Sequence, residues 1–163
     1  MTRGDRLAVA RVGIVSDTHG AFDPRLVPAL KGVDRILHAG DVGRPDILEA
    51  LARIAPVAAV RGNVDLEGEL ARLPAFVVVD VEGVRFAVTH RRDSAYRIDD
   101  ARRAGCDVYV FGHTHIPHLE QSEGLWIINP GSASRAREGN PETVAVVQVA
   151  GGAVQDARLV TIG

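Results

Sequence analysis

Seven polar residues stand just beyond short apolar runs: Asp17, His19, Asp41, Asn63, His90, His113 and His115. All carry oxygen or imidazole donors, the groups that bind divalent cations. Asp17-x-His19 and His113-x-His115 are pairs two residues apart. In extended chain such pairs point to one side, about 6.6–6.8 Å apart along the strand. That suits gripping one cation from two sides, or two neighbouring cations; two-metal hydrolytic sites hold their ions about 3.5–4 Å apart. Seven donors are too many for one zinc and fit a pair of ions sharing a ligand. With Cys106 as the only cysteine there is no thiolate set, which argues against a structural zinc knuckle. Each residue alone has an ordinary reading. Asp41 could cap a helix, Asn63 could serve a turn, and a single strand-end histidine is ordinarily a hydrogen-bonded structural residue. Four of the six histidines fall in this set, however, which favours the joint metal reading.

The chain must bring these residues to one edge. Val12–Ser16 reads as a buried strand ending at Asp17-Thr18-His19-Gly20. Pro24–Lys31 reads as a short helix with Asp23 as N-cap, Pro24 at its first position and Gly32 ending it. Asp34–His38 is a second strand, delivering Asp41 between Gly40 and Gly43; without Cβ atoms these glycines let the backbone turn sharply. Pro45–Arg53 is a helix with Ile47, Leu48 and Leu51 at helical spacing. Pro56–Val60 is a third strand, leading into Arg61-Gly62-Asn63-Val64-Asp65. This is βαβαβ, a parallel sheet with crossover helices, whose strand ends are where such sheets keep their chemistry.

The pattern then changes. Ala75–Val81 and Val84–Thr89 flank a Glu82-Gly83 turn, a hairpin signal. Ser94–Ala104 is a helix capped by Ser94 and closed by Gly105, and Asp107–Phe111 is a buried strand. The remainder is all strand: 116–120, 125–128, 143–149 and 153–160, with Gly151-Gly152 as a tight turn and Asn129-Pro130-Gly131-Ser132 as a loop. A single sheet of Rossmann type needs a helix for nearly every strand, and the late strands lack them. Two mixed β-sheets packed face to face with helices outside accommodate both halves: a four-layer α/β/β/α sandwich.

Size and composition agree with one domain over residues 1–163, with 1–10 as a short lead-in. Apolar residues make up 46% and charged residues 25%, an ordinary globular balance. A net charge of −2 and the lack of long charge runs argue against a dedicated nucleic-acid surface. Lys31 is the only lysine, so nearly all positive charge is arginine; arginine suits bidentate phosphate binding, but a biased genome composition is the simpler cause. The single cysteine excludes an intrachain disulfide and fits a reducing compartment. Met1–Ala10 is too poor in apolar residues for a signal peptide, and no run approaches a membrane span, so the expected location is the cytoplasm.

The order Asp-x-His, Gly-Asp, Gly-Asn-x-Asp, His, Gly-His-x-His resembles the calcineurin-like metallophosphoesterase superfamily. The compact size and the Asn129–Ser132 loop are similar to its small bacterial and archaeal phosphodiesterases. The resemblance spans about residues 11–135. It implies the sandwich fold and two divalent metal ions, usually manganese, with nickel, iron and zinc as alternatives. Carried over residue by residue, it implies that Asp17, His19, Asp41 and His115 hold the first ion. Asp41, Asn63, His90 and His113 would hold the second, with Asp41 bridging. A shared carboxylate offsets the repulsion between two cations, and a water between them loses a proton near neutral pH to become a bridging hydroxide nucleophile. The same cations neutralise charge on the phosphoryl oxygens. The implied activity is phosphodiester hydrolysis on small or nucleotide-like substrates, with Asp41, Asn63 and His90 as catalytic residues, to which this chain's own Arg91 is added as a candidate, and with homo-oligomerisation left open.

The chain departs from the family's pattern at two places. Protein phosphatases of the superfamily carry histidine after the Gly-Asn pair, where it assists the leaving group; here Val64 stands there, which puts monoester chemistry in doubt and leaves Asp65 without the partner it would orient. After His90 the family commonly has glycine; here it is Arg91, either a clamp for substrate phosphate or a residue crowding the second metal. His38 either hydrogen-bonds a ligand or leaving group or is a buried structural histidine. His118 has only the structural reading, and Ser132 and Ser134 are expected to shape the rim. The contrasting reading is an interaction scaffold, since the small retromer subunit of eukaryotes resembles this fold and also lacks the histidine after Asn. A complete ligand set favours the enzyme.

Overall fold

The computed structural model describes residues 8–94 and 96–162. Alternation of apolar residues sets the layers. β1 (Val9–Val15) pairs in parallel with β2 (Arg35–His38), and β2 with β3 (Val57–Ala59). On its other edge β1 meets β9 (Thr143–Ala150) antiparallel, and β9 forms a hairpin with β10 (Ala153–Thr161). The first sheet therefore runs β10-β9-β1-β2-β3. The second sheet comprises β4 (Phe76–Val81), β5 (Val84–Thr89), β6 (Val108–Val110), β7 (His118–Ser122) and β8 (Leu125–Asn129), in the order β4-β5-β6-β8-β7. Both sheets mix parallel and antiparallel pairs.

The two sheets face each other. Val12 and Ile14 of β1 and Leu37 of β2 pack with Phe86, Val88, Val108, Val110 and Ile128 across the interface, all of them with no exposed surface. The alternate residues Val15 and Ile36 face outward onto Leu26 and Leu30 of the α1 (Leu26–Ala29) region and onto Ile47 and Leu51 of α2 (Pro45–Ala52). On the far side, Ala87 and Tyr109 pack against Ala101 of α4 (Ile98–Arg103). The expected α/β/β/α sandwich is present, with short helices.

Details differ from the sequence reading. β1 begins at Val9, within the expected lead-in, because Val9 pairs with Ala150 at the distant end of the chain. The first helix shrinks to Leu26–Ala29 with Arg25 at the N-cap; Asp23 instead accepts the Arg25 N–H at 2.9 Å, so its capping chemistry closes the preceding turn. The helix expected over 94–104 includes Ala95, which lies outside the described residues, and starts at Ile98. Ser94 does not cap it. Its hydroxyl pairs with Thr89 at 3.0 Å, while the Asp100 carboxylate accepts the Arg97 N–H at 2.8 Å. α3 (Gly68–Ala71) carries too little periodicity to have been expected. No helix among the described residues is long and apolar enough to cross a membrane.

Candidate metal centre

The C-terminal ends of β1, β2, β3, β5 and β6 release the loops that carry Asp17 and His19, Asp41, Asn63, His90, and His113 and His115. The strand-end placement read from sequence is therefore observed, but the local geometry is not extended. Asp17, His19, Asp41, His113 and His115 have φ of 55°, 48°, 55°, 71° and 62°. Non-glycine residues pay roughly 1–2 kcal/mol each for the left-handed region, and such strain persists only where the surroundings over-determine it. The expected same-side projection of residues two apart consequently fails for the histidine pair. His115 reaches the Asp17 and His19 side chains, whereas His113 sits edge-on to His90, with ring centroids 5.3 Å apart.

Long-range backbone bonds hold the strained loops. The N–H groups of Asp17, His19 and Gly20 donate to the carbonyls of Gly40, Asp41 and Val42 at 3.0, 2.9 and 2.8 Å, so the first two ligand loops zip together. Gly43 and Gly62 allow this approach. A Cβ on Gly43 would strike the His19 and Gly20 backbone, and one on Gly62 would strike the Asp41 backbone nitrogen and Oδ1.

The densest cluster is Asp17, His19, Asp41 and His115, whose ligand atoms all lie within 4.8 Å of one another. His115 Nε2 is 3.3 Å from Asp17 Oδ1 and 3.1 Å from His19 Nε2; His19 Nε2 is 3.5 Å from Asp41 Oδ2. On its other side, the same Asp41 Oδ2 lies 3.4 Å from His90 Nε2. Asp41 Oδ1 accepts the Val64 N–H at 3.0 Å, which fixes the carboxylate with Oδ2 between the two histidines. His90 Nδ1 donates to the Ala39 carbonyl at 2.7 Å, and His115 Nδ1 to the Arg135 carbonyl at 2.6 Å. Both bonds leave Nε2 as the free ligand atom, the arrangement metal-binding imidazoles use. Asn63 and His113 stand on the flanks, in two clefts separated by Arg91.

Two buried polar atoms among the described site residues have no hydrogen-bond partner, Asp17 Oδ1 and His90 Nε2. Buried groups of this kind ordinarily find partners, and a cation would satisfy both. The electrostatics agree. Burial works to raise the Asp41 pKa, but His90, the Val64 N–H and His19 overcome it and hold the carboxyl well below the usual range. Burial works against protonation of His90, and Asp41 and Asp17 outweigh it, so its pKa is raised. The protein alone thus attracts positive charge to His90 Nε2. Burial, His90 and Arg91 lower the pKa of His113.

Supporting residues do more than the sequence reading assigned. Asp65 is no leftover; it is buried and accepts N–H groups from Val42, Gly43 and Gly62 at 3.2, 3.0 and 2.8 Å, tying the Asp41 loop to the Asn63 loop. Ser132 is buried rather than on the rim, and its hydroxyl donates to the Asp17 carbonyl at 2.8 Å, while the Ser134 hydroxyl donates to Thr18 O at 2.7 Å. Asn129 donates to the Gly112 carbonyl at 3.1 Å and positions the histidine-pair loop. Its place in the Asn-Pro-Gly-Ser stretch was visible, but not its target across the fold. His38 is wholly buried, accepts the Gly40 N–H on Nδ1 at 3.1 Å, and meets the Thr18 hydroxyl with Nε2 at 3.1 Å, a structural role. The Arg91 guanidinium makes two 2.9 Å bonds to the exposed Asp93 carboxylate. His118 pairs with Glu120 at 2.9 Å near the surface.

The Calcineurin-like phosphoesterase superfamily domain matches residues 11–152. A probable metallophosphoesterase of Methanothermobacter thermautotrophicus is 33% identical, over 93% of this chain and 92% of its own length. A phosphodiesterase of Methanocaldococcus jannaschii is 26% identical, over 80% of this chain and 89% of its own. Vacuolar Protein Sorting 29 from Cryptosporidium parvum superposes with a TM-score of 0.74 at 19% identity, covering 93% of this chain and 97% of that one, a likeness of fold. With sequence motifs, fold and strand-end geometry in agreement, the chain belongs to the calcineurin-like phosphoesterase superfamily, in its small archaeal and bacterial branch.

Proposed function

We propose that this metal-dependent phosphoesterase is a phosphodiesterase acting on small or nucleotide-like diesters, with two divalent ions, manganese foremost, at the strand-end cluster. The observation that carries this reading is Asp41 Oδ2, placed 3.5 Å from His19 Nε2 and 3.4 Å from His90 Nε2. One carboxylate oxygen facing two imidazole groups suits a bridge. Asp17, His19, Asp41 and His115 would hold one ion, and Asp41, Asn63, His90 and His113 the other. Such a pair, when bound, supplies an activated water as nucleophile and neutralises phosphoryl charge.

The protein's own groups do the rest. The Ala39 and Arg135 carbonyls hold the His90 and His115 rings by their Nδ1 protons, so Nε2 is the atom aimed inward at the cluster. The Val64 N–H prevents Asp41 from rotating. Arg91, in the wall between the two clefts, can exchange one Asp93 oxygen for a substrate phosphoryl oxygen. At position 64 the exposed valine offers no proton to a departing alkoxide, and both Asp65 oxygens are committed to backbone N–H groups. Diesters with good leaving groups are therefore the favoured substrates. A positioned general acid ordinarily contributes about 10²–10⁴ in rate, and poor leaving groups forgo it here.

The test joins metal analysis with kinetics. Manganese-saturated protein should bind two ions, hydrolyse bis(p-nitrophenyl) phosphate faster than p-nitrophenyl phosphate, and lose activity on chelation. Asp41→Asn should lose activity by about a thousandfold or more, as expected for a group serving both ions, while its circular dichroism spectrum is kept. Binding of one ion only would refute the bridged pair. The scaffold reading is favoured by Val64 alone; two bound ions with no turnover of any phosphoester would select it.

A further inference from the structure

The clefts on either side of Arg91 are unequal. One, of about 210 Å³, is lined by Arg61, Asn63, His90 and Arg91. The other, of about 520 Å³, is lined by His113, Arg91, Arg92, Arg97 and Phe111. The larger volume falls within the roughly 300–1,000 Å³ common to small-molecule sites. Its charge is one-sided. Asp93 is its single carboxylate, and both oxygens of that group are taken by Arg91. Among the described residues neither Arg92 nor Arg97 has a carboxylate within 4.0 Å, and Arg97 spends only its Nε–H, on the Ser94 carbonyl at 3.4 Å. Arg92 instead rests over the Phe111 ring, 5.8 Å from its centroid. An aromatic face orients a guanidinium without using its N–H donors. In a chain of net charge −2, two arginines without acid partners beside a proposed ligand histidine form a local anion trap.

We infer that the larger cleft is a subsite for a second phosphate on the substrate, bound by Arg92 and Arg97, so that the favoured diester carries a further phosphate on one arm. Arg91 lines both clefts and stands between the two arms. Guanidinium forks match phosphate oxygens bidentately, so the subsite selects a phosphate over a neutral group of equal size. The inference rests on the phosphodiesterase reading, yet its ligand preference can be measured without turnover.

Titration calorimetry of the manganese-loaded protein with thymidine 3′,5′-bisphosphate and thymidine 5′-monophosphate compares ligands that differ by one phosphate. The bisphosphate should bind about tenfold or more tightly, roughly one decade for a pair of charge-assisted contacts. In Arg92→Gln/Arg97→Gln the two affinities should converge to within about twofold, and Arg92→Lys/Arg97→Lys should keep only part of the preference, because the charge remains but the bidentate fork is lost. Equal affinities in the wild type, or a preference that survives the glutamine variant, would overturn the subsite. Turnover of bis(p-nitrophenyl) phosphate is measured in parallel. Its absence, with the arginine-dependent preference intact, would defeat the diesterase reading and leave the subsite standing.

Discussion

At the residue scale, His38 shows how a chemically suggestive side chain can serve structure. Complete burial pushes its pKa down to about 4, against attraction from Asp17 and Asp65. The ring is neutral in the folded state and accepts the Gly40 N–H, which shapes the turn delivering Asp41. The unfolded chain takes up this proton near the ordinary value of about 6.5, and the folded chain only near 4. Between those values the unfolded state binds more protons, so stability rises with pH there. The contribution is fully present above about 6.5 and is lost as pH falls towards 4, by roughly 3 kcal/mol in total at 1.36 kcal/mol per unit. His38→Asn retains an acceptor for Gly40 and has no titrating ring. Urea unfolding should therefore show its deficit relative to wild type narrowing by roughly 1.4 kcal/mol per pH unit below 6.5. A gap independent of pH would mean that His38 is already charged in the folded protein.

At the scale of elements, the site is a set of strained loop beginnings on rigid strands. The parallel strands β1 and β2 bring two left-handed aspartates side by side, and their loops bond to each other before any ion enters. Asp65 extends this clamp to the loop after β3. Asp65→Ala leaves the N–H groups of Val42, Gly43 and Gly62 without an acceptor, and unpaired buried donors cost about 1–3 kcal/mol each, less when the loop can relax. We expect a loss of about 3 kcal/mol in chemical denaturation together with weaker manganese binding. Asp65→Asn keeps one oxygen and should lose less on both counts. A stability within about 0.5 kcal/mol of wild type, the range of an ordinary surface substitution, would show that the clamp is not needed.

Across the whole molecule, two sheets meet through a dry interface of Val12, Ile14, Leu37, Phe86, Val88 and Ile128, and the candidate centre sits where their strand ends converge. Asp17, His19 and Asp41 come from the first sheet, and His90, His113 and His115 from the second. Ions bound there tie the sheets together and relieve unpaired buried atoms that the folded state otherwise carries. Binding to the folded state alone stabilises by about 2.7 kcal/mol at a hundredfold excess over Kd. At about 2–4 °C per kcal/mol for a chain of this size, manganese should raise Tm by about 5–10 °C in scanning calorimetry, and chelation should reverse the rise. An unchanged Tm at saturating manganese would mean that manganese does not bind the folded state in preference to the unfolded chain.

The sequence by itself determined the layered class, the strand ends and the donor types. Apolar runs, glycine punctuation and the identities of Asp17, His19, Asp41, His90 and His115 are local properties of the chain, and local properties survive in a one-dimensional reading. It also fixed the lack of a histidine at position 64. The spacing of the donors did not determine how they divide, and the family resemblance supplied that division; the tertiary structure decided which neighbour each side chain meets. Extended geometry would have kept His113 and His115 together, but left-handed φ angles at both send them to different neighbours. Those angles go with bonds to residues far away in sequence, the His113 N–H to Asp17 Oδ2 and His115 Nδ1 to the Arg135 carbonyl, and no local preference encodes them. The roles of Asp65, Asn129 and Ser132 were illegible for the same reason: each hydrogen-bonds across the fold to a loop whose position depends on how the strands pair.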